Sequence, residues 1–559
     1  MRSTITPLQG IAACLILSYL ACSTLYAQDI PVSDWFKDET DQRGIDFQHI
    51  SGAEGDFYIP EAMGGGVALL DVDNDMDLDI YFVQSGKIGS TDQSLKYANQ
   101  LYINDGTGNF SLASNSVGDA GTNLGYGMGV ATGDYDNDGD IDIYVTNLGR
   151  NALLRNDGEH RFRNVAVQGK VDDEGWGTSA AFVDFDQDGD LDLFVANYLR
   201  WSPGVEMDCF HWQTGGREYC SPTKFKAPAQ DRLFENNGDG TFTDVTWQSG
   251  MVHVIGNGLG VVITDVNADN LPDIIVANDM SLNHVWVNLG QLKFAEEAML
   301  YGLAADGHGK VKAGMGIVAE DFDDDTDEDV LIVNLIAQTD SFYRNEQGYF
   351  TDQTAKIGLN TYSQRFTRFG VVVADLNNDT YLDIFQANGA IAQAVETESD
   401  DLYAEPNVIY PGTESGKFTS FTRLSTEYTS RGAAVGDVNN DGYLDLVVVN
   451  RDGPAKLFIN KNSGNRILLR VLNAEGTAAH GASVSIQLRS RTLTRRVKTS
   501  GSYLSAQSDW VHFGLGSQDI LEQVTVQWLD GKTTKLQDVE SNQRIVVPYE
   551  GELVFNSIE

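Results

Sequence analysis

Short acidic segments recur along the chain with the spacing Asp-x-[Asp/Asn]-x-Asp-x-x-x-Asp. The seven copies begin at Asp71, Asp134, Asp184, Asp265, Asp321, Asp375 and Asp437. The third position holds Asp73, Asp136, Asp186, Asn267, Asp323, Asn377 and Asn439. The fifth position holds Asp75, Asp138, Asp188, Asp269, Asp325, Asp379 and Asp441, and the ninth holds Asp79, Asp142, Asp192, Asp273, Asp329, Asp383 and Asp445. A tight loop directs these side-chain oxygens at one centre, which suits Ca²⁺ with its preference for six to eight oxygen ligands. We therefore predict up to seven structural Ca²⁺ sites.

The repeated register distinguishes these segments from two alternatives. An EF-hand needs Glu at position 12 and flanking helices, whereas position 12 here falls in apolar runs. The second alternative is a set of solvated Asp/Asn turns, which are common between strands, and seven copies in one register favour metal sites over it. Position six favours glycine because it needs a positive φ. The first, fifth and sixth loops place Met76, Thr326 and Thr380 there, so we expect them to be the weakest sites.

The segments around the acidic loops have the character of buried strands. GVALLD and DIYFVQ bracket the first loop, and runs this short and apolar are typical of strands covered on both faces. In most copies a third run ending in Asn follows, and then a Gly-containing turn and an aromatic residue. The copies begin 50 to 81 residues apart, which fits one four-stranded blade each. The sequence therefore predicts an all-β fold, a seven-bladed β-propeller followed by a small β-rich C-terminal domain.

The seventh repeat lacks a fourth strand of its own. The segment FKDET, which begins at Phe36, matches FTDVT at Phe242 and FTDQT at Phe350. We therefore predict that an N-terminal strand closes blade seven, which would remove two exposed sheet edges from the ring.

The N-terminus predicts export. Arg2 precedes an apolar run over residues 11–21, and Leu25, Tyr26 and Ala27 resemble a cleavage site, so residues 1–27 are predicted to be a signal peptide. The alternative is a lipoprotein signal with a lipid anchor at Cys22. No later stretch is apolar for long enough to span a bilayer. We expect a secreted, periplasmic or cell-surface protein.

A long insertion precedes the fourth loop. It contains Trp201, Cys209, His211, Trp212, Tyr219 and Cys220. The two cysteines are expected to form a disulfide in an oxidising compartment, the alternatives being free thiols or a metal pair. A second irregular stretch spans about residues 390–407. Such loops often carry function, although a stapled surface loop without a function is an equal alternative.

The charge of the chain limits its partners. A net charge of −43 disfavours nucleic acid, because phosphate contacts need a basic surface, and it suits bound cations. The C-terminal part differs, since it contains a basic cluster formed by Arg489, Arg491, Arg495, Arg496 and Lys498. This cluster is interpreted as a solvated strand face, with an acidic glycan or the propeller itself as alternative partners.

The acidic loops and their flanking strands resemble FG-GAP (VCBS-type) repeats over residues 35–462. The tail resembles an ASPIC/UnbV domain, assigned to residues 463–550, on GSYLSAQSDWVHFGLG from Gly501, VTVQWLDGK and SNQRIVV. A propeller followed by this tail is the layout of cartilage-acidic-protein-like proteins. The resemblance implies secretion, calcium binding and an adhesive or matrix-like role.

These observations predict a secreted calcium-binding scaffold whose ligand is an extracellular protein or glycan. The sequence contains no H-E-x-x-H, G-x-S-x-G or P-loop motif, so no catalytic residues are assigned. The alternative function is an enzyme, or an accessory to one, that acts on an extracellular polysaccharide. Its site would be a pocket on a propeller face lined by the insertion at residues 200–225.

Overall fold

A computed structural model describes residues 31–113, 117–211, 214–393, 400–489 and 491–558. The predicted signal peptide at residues 1–27 and the predicted anchor Cys22 lie outside the described residues. Strands dominate. The short helical turns are Asp41–Arg43, Ile59–Ala62, Leu95–Tyr97, Asp119–Gly121, Ala166–Gly169, Pro203–Val205, Pro222–Phe225, Ala298–Tyr301, Leu359–Thr361 and Ser363–Arg365. None of the helices in the described ranges is long and apolar enough to cross a membrane.

Seven four-stranded antiparallel sheets follow one another along the chain. Their strands, with the hairpin β12–β13 of the insertion, are β1 (Phe36–Asp38), β2 (Val67–Leu70), β3 (Asp79–Phe82), β4 (Gln100–Asn104), β5 (Phe110–Leu112), β6 (Tyr126–Gly133), β7 (Asp142–Leu148), β8 (Ala152–Asn156), β9 (Phe162–Asn164), β10 (Gly177–Val183), β11 (Asp192–Asn197), β12 (Cys209–Phe210), β13 (Arg217–Glu218), β14 (Arg232–Asn236), β15 (Phe242–Asp244), β16 (Gly258–Thr264), β17 (Asp273–Asn278), β18 (His284–Asn288), β19 (Phe294–Glu296), β20 (Ile317–Glu320), β21 (Asp329–Ile332), β22 (Ser341–Asn345), β23 (Phe350–Asp352), β24 (Arg368–Ala374), β25 (Asp383–Asn388), β26 (Glu405–Tyr410), β27 (Thr422–Tyr428), β28 (Ser430–Gly436), β29 (Asp445–Asn450) and β30 (Lys456–Asn460).

The first strands of the sheets form a closed inner ring. In chain order β2, β6, β10, β16, β20, β24 and β28 each contact the next, and β28 contacts β2. Apolar side chains fill the space between neighbouring sheets, as between β2–β3 and β6–β7, so both faces of each sheet are covered. The predicted all-β propeller architecture is confirmed, and each sheet is one blade.

The N-terminal strand closes the ring as predicted. Strand β1 pairs antiparallel with β30, with Phe36 opposite Asn460 and Asp38 opposite Phe458. Blade seven therefore has the order β1-β30-β29-β28. Because the two ends of the propeller share one sheet, opening the ring would break the backbone hydrogen bonds of this pair.

Asparagines at the ends of third strands hold neighbouring blades together. The Asn156 side chain donates to the carbonyl oxygen of Val72 in the preceding blade over 2.9 Å, and Asn236 donates to that of Tyr135 over 2.7 Å. Asn104 donates to Val438 over 2.7 Å and so joins blade one to blade seven. The acceptors are buried carbonyls in the acidic loops, which would otherwise lack a partner.

The C-terminal domain contains two further four-stranded sheets, β34-β31-β37-β38 and β33-β32-β35-β36. Its strands are β31 (Asn465–Val471), β32 (Ser483–Gln487), β33 (Thr492–Arg496), β34 (Val511–Gly516), β35 (Ile520–Gln527), β36 (Thr533–Glu540), β37 (Gln543–Val547) and β38 (Val554–Ser557). Strands β31 and β37 are parallel. The two sheets enclose an apolar core of their own that includes Trp528 and Phe513.

A segment of this domain, residues 500–507, enters the centre of the ring and is called the plug. It reaches the first strand of every blade through hydrogen bonds to Leu69 and Val67, Val130, Ser179, Ile263, Ile317, Val371, and Ala433. Tyr503 is fully buried, and its hydroxyl donates to the carbonyl oxygen of Met63 over 2.9 Å. The C-terminal domain is therefore anchored at the propeller axis.

Candidate metal centres

Each acidic loop joins the first strand of a blade to its second. Position one follows the first strand directly, and position nine is the first residue of the second strand, as for Asp71 after β2 and Asp79 at the start of β3. The residue before position one pairs with position nine, Leu70 with Asp79 in blade one and Gly436 with Asp445 in blade seven. This shared register places all seven loops at one end of the blades.

The first Asp of each loop holds the turn closed. In the second loop Oδ1 of Asp134 accepts the amide of Asp138 over 3.2 Å, and Oδ2 accepts the amide of Gly139 over 2.9 Å. The same pair of bonds recurs in the first, third, fourth, fifth and sixth loops. In the seventh loop Asp437 accepts the amide of Gly442.

Position six has a positive φ in all seven loops, whichever residue occupies it. The angles are 92°, 99° and 81° at Gly139, Gly189 and Gly442, 66° at Asn270, and 73°, 80° and 82° at Met76, Thr326 and Thr380. Non-glycine side chains adopt this region at a cost of roughly 1–2 kcal/mol each. The loop shape is thus imposed by the hydrogen bonds and the blade register even where glycine is missing.

The Asp at position nine is buried and accepts two backbone amides. Oδ2 of Asp142 accepts the amide of Tyr135 over 3.1 Å, and Oδ1 accepts that of Asn156 over 2.8 Å. In blade six, whose third strand does not end in Asn, the amide of Gly412 takes the latter place beside Asp383 over 2.7 Å. Each carboxylate oxygen has a second lone pair free for a metal ion, except Oδ2 of Asp329, which also accepts from Arg344.

Burial gives these carboxylates an unfavourable environment for negative charge. It raises the pKa of Asp79, Asp192 and Asp329 to about 8 and that of Asp273 to about 7. It also raises the pKa of Asp142, Asp383 and Asp445 well above the ordinary value. A divalent cation among the oxygens would supply the missing positive charge.

Four loops bring three carboxylates together, with ligand oxygens within 4.8 Å of one another. The groups are Asp71, Asp73 and Asp75; Asp134, Asp136 and Asp142; Asp184, Asp186 and Asp192; and Asp321, Asp323 and Asp325. Oδ1 of Asp73, of Asp136 and of Asp437 is buried and has no hydrogen-bond partner in the described part of the chain. Buried anionic oxygens without donors fit a hard cation, so the donor set agrees with Ca²⁺.

The three loops with Asn at position three have a different arrangement. The side-chain amide of Asn267 donates to Oδ2 of Asp269 over 2.9 Å, and Asn377 and Asn439 donate to the position-five Asp in the same way. Each Asn therefore orients the position-five carboxylate, and it adds no negative charge of its own at position three. These loops have three charged positions and one amide oxygen for an ion.

Basic side chains lie among the proposed ligand oxygens of the fifth and first loops. In the fifth loop Nη1 of Arg344 lies 2.6 Å from Oδ2 of Asp323 and 2.7 Å from Oδ2 of Asp329. In the first loop Nε2 of His160 lies 2.8 Å from Oδ2 of Asp73. The arginine lies between positions three and nine, where an ion would bind.

The basic cluster of the C-terminal domain contacts the loop end of the propeller. Nζ of Lys498 lies 2.6 Å from Oε1 of Glu328 and 3.1 Å from Oε1 of Glu320. Nη1 of Arg491 lies 3.1 Å from Oδ2 of Asp324, and Arg496 faces Glu328 over 3.5 Å. The interpretation of this cluster as a solvated face is wrong for Arg491, Arg495, Arg496 and Lys498, whereas Arg489 is exposed. The partner of these four residues is the propeller itself, which they help to neutralise.

The insertion lies at the opposite end of the blades. Cys209 and Cys220 form the predicted disulfide, with Cα atoms 5.3 Å apart. Glu218 accepts the backbone amide of Gln393 in blade six over 3.0 Å, and Glu206 accepts that of Ile59 over 3.1 Å. The insertion therefore spans the ring from blade three to blade six. Its Trp212 lies outside the described residues.

The sequence analysis did not identify the residues that lie beside the insertion at this end of the propeller. Arg451, Asp452 and Glu61 carry no motif, and they come together only because blades seven and one adjoin. In the sequence, the plug at residues 500–507 is marked only by its resemblance to part of an ASPIC/UnbV domain. Its run of small residues around Tyr503 is the signal that it enters a narrow channel.

Family models match two parts of the chain. A model described as FG-GAP-like repeat matches residues 71–145, 134–195 and 321–385, and a model described as ASPIC and UnbV matches residues 473–553. These matches confirm both resemblances drawn from the sequence.

Cartilage acidic protein 1 is similar over most of the chain. The human protein is 26% identical over 506 residues, covering 85% of this chain and 70% of its own length. The mouse protein is 25% identical over 503 residues, covering 85% and 71%. The Xenopus tropicalis protein is 24% identical over 328 residues, covering 57% and 41%.

Solved structures show weaker likeness. An Agrocybe aegerita lectin described as recognising non-reducing terminal N-acetylglucosamine has a TM-score of 0.39 and 15% identity, with 70% of this chain and 87% of that chain covered. YCF48 bound to a D1 peptide has a TM-score of 0.41 and 8% identity, with 78% and 100% covered.

Proposed function

From its FG-GAP-like repeats and its ASPIC and UnbV domain, we propose that this chain is an exported propeller scaffold that binds Ca²⁺ in its seven acidic loops and an extracellular protein or glycan elsewhere. The single observation that carries the calcium part is the convergence of three carboxylates in each of four loops. The proposed ligands are the side chains at positions one, three, five and nine, with the carbonyl of position seven.

Neighbouring loops would bind their ions as a connected set. The side-chain amide of Asn74 in the first loop donates to Asp140 in the second over 2.8 Å, and Asn137 in the second donates to Asp190 in the third over 2.8 Å. An ion that orders one loop would therefore also favour the metal-binding conformation of the next loop. Together with the C-terminal domain on the same end, this supports a structural role for the ions.

The experiment is thermal unfolding of the mature protein, residues 28–559, in EDTA and across a Ca²⁺ titration. A ligand that binds only the folded state stabilises it by about 1.4 kcal/mol per site at ten times the dissociation constant. We expect a large rise in the unfolding midpoint with Ca²⁺, a much smaller one with Mg²⁺, and bound calcium by elemental analysis. No rise and no bound calcium would reject the proposal.

A matched pair of variants locates the ions. Asp136→Asn removes a proposed ligand charge at position three, whereas Asp140→Asn changes position seven, where only the carbonyl would ligate and the new amide oxygen can still accept from Asn74. We expect the Ca²⁺-dependent rise to shrink in Asp136→Asn and to be retained in Asp140→Asn. Equal rises in both variants would place the ion elsewhere.

A second candidate function is that of an enzyme, or an accessory to one, that acts on an extracellular polysaccharide. One observation favours it: Tyr219 of the insertion lines a cavity. The test is release of new reducing ends from a polysaccharide panel. Turnover that is lost in His211→Ala would favour it, and an inert protein across the panel would count against it.

A further inference from the structure

The cavity beside the insertion has the construction of a ligand site. Its volume is about 620 Å³, within the range of about 300–1,000 Å³ usual for small-molecule sites. It is lined by residues of the 41–66 segment, the insertion, the connections between second and third strands in blades six and seven, and Tyr428 at the end of β27. The acidic loops join first strands to second strands. The antiparallel blades therefore place the cavity at the end away from the proposed metal centres.

Aromatic rings form one part of its wall. The ring centroids of Tyr219 and Tyr403 are 6.1 Å apart, and those of Phe57 and Tyr219 are 5.5 Å apart. Tyr428 lines the cavity as well. The rings come from four separate segments of the chain, so the tertiary structure alone assembles them.

Two buried polar side chains that line the same cavity have atoms without a hydrogen-bond partner in the described residues. The Arg451 side chain is 5% exposed and its Nε lies 3.6 Å from Oδ2 of Asp452, but neither Nε nor Nη1 has a hydrogen-bond partner in the described ranges. Glu61 is 3% exposed, and its Oε2 also has none. Buried donors and acceptors are normally satisfied, so an arginine and a glutamate left open in one cavity indicate a ligand with both kinds of group.

The charges around the cavity restrict the class of that ligand. The Arg451 guanidinium lies 4.4 Å from the centroid of Tyr403 and 5.8 Å from that of Tyr219, so one face of each ring already carries a positive charge that would repel a second cation. Asp400 and Asp452 line the opening and would repel an anion. A neutral ligand with many hydroxyl groups avoids both the repulsion from Arg451 and the repulsion from the two aspartates. It can accept from Arg451, donate to Glu61 and pack its C–H face on a tyrosine ring.

We propose that this cavity binds a neutral saccharide, with Arg451 and Glu61 hydrogen-bonding its hydroxyls and Tyr403 and Tyr428 packing against its ring. This deepens the proposed function, on which it rests, by naming a neutral glycan as the ligand class. The disulfide-stapled insertion forms one side of the site. It positions Tyr219 and, through Glu218 and Gln393, the loop that carries Tyr403, because the side chain of Gln393 donates to Oη of Tyr403 over 3.2 Å.

The test is calorimetric titration of the mature protein, in millimolar Ca²⁺, with neutral trisaccharides of glucose, galactose, mannose and N-acetylglucosamine. Trisaccharides of galacturonic acid and of glucosamine are the charged probes. We expect saturable binding of at least one neutral sugar and weaker binding of both charged ones. No neutral binding, or preference for a charged sugar, would overturn the proposal.

Variants assign the binding to this cavity. Tyr403→Ala and Arg451→Gln should weaken the neutral sugar at least about tenfold. Tyr403→Phe keeps the ring but loses the hydrogen bond from Gln393, so it should bind more tightly than Tyr403→Ala. Tyr349→Ala, at an exposed tyrosine beside the acidic-loop end, is the matched control and should bind as the wild type does. Equal affinity in Tyr403→Ala and the control would overturn the proposal.

The same samples separate this proposal from the calcium proposal. Each variant's unfolding midpoint in Ca²⁺ and in EDTA shows whether it folds and whether the loops respond to metal. A Ca²⁺-dependent midpoint without sugar binding rejects the saccharide site alone. Sugar binding without any response to Ca²⁺ rejects the calcium sites alone.

Discussion

Nη1 of Arg470 in the C-terminal domain lies 3.1 Å from Oδ2 of Asp71, the first position of the first acidic loop. Nε of the same guanidinium donates to Asp509 over 2.9 Å. The Asp71 side chain is 2% exposed and that of Arg470 is 11% exposed, so the pair is shielded from water. One arginine thereby joins the C-terminal domain to a proposed metal centre, and the two parts of the chain should unfold together.

We predict that Arg470→Ala lowers the free energy of unfolding by about 3 kcal/mol, because it leaves two carboxylates buried without their partner. The measurement is urea unfolding in Ca²⁺. The control is Lys535→Ala, an exposed residue of β36, which should change the free energy by no more than about 0.5 kcal/mol. Equal losses in the two variants would show that the Arg470–Asp71 contact contributes nothing specific.

Arg344 should make the fifth loop the weakest binder of Ca²⁺. In Arg344→Gln we expect a lower unfolding midpoint in EDTA, since Asp329 loses its counter-ion, and a larger rise on adding Ca²⁺. Arg163→Gln is the control in blade two, because Arg163 is an exposed residue of β9 that pairs with Asp157, outside the nine-residue loop. A rise in Arg344→Gln no larger than in the wild type would contradict this prediction.

Tyr503 should be a main anchor of the plug. Tyr503→Ala leaves a cavity at the propeller axis, and we expect it to cost about 3–5 kcal/mol in urea unfolding. Tyr503→Phe keeps the ring and loses only the hydrogen bond to Met63, at about 1 kcal/mol. If the two variants lost the same amount, the packing of the ring at the axis would not matter for stability.

His512 should make the C-terminal domain sensitive to mild acid. Both of its ring nitrogens are buried without hydrogen-bond partners in the described residues, and burial lowers its pKa to about 3. The unfolded chain binds a proton near pH 6.5 and the folded chain does not. The contribution of His512 to stability is therefore complete above about pH 6.5 and is lost as the pH falls towards 3.

The measurement compares unfolding free energies at pH 7.5, 6.5 and 5.5. The variant His512→Gln should lose less stability over this interval than the wild type. The control is His308→Gln, at an exposed site, which should follow the wild type. An unchanged pH dependence in His512→Gln would contradict the prediction.

The sequence alone was sufficient for the repeated parts of this protein. Period and composition located all seven acidic loops, the strands beside them and the match between Phe36 and Phe242 that predicts closure of blade seven. The loops and their strands are local features, because loop ligands and strand ends lie within about ten residues of one another, and the closure by Phe36 follows from its match to the repeated pattern. A repeated local pattern can therefore be recognised without knowing how the blades pack.

Only the tertiary structure decided what lies along the axis and on the two faces. The plug around Tyr503, the docking of Lys498 on Glu328, and the meeting of Arg451 with Tyr219 and Tyr403 each join residues far apart in sequence. The sequence spacing does not predict such pairs, because they form only when the ring closes and the C-terminal domain packs against the propeller. The acidic loops followed from local chemistry, whereas the cavity proposed to bind a saccharide exists only because the ring brings separate blades together.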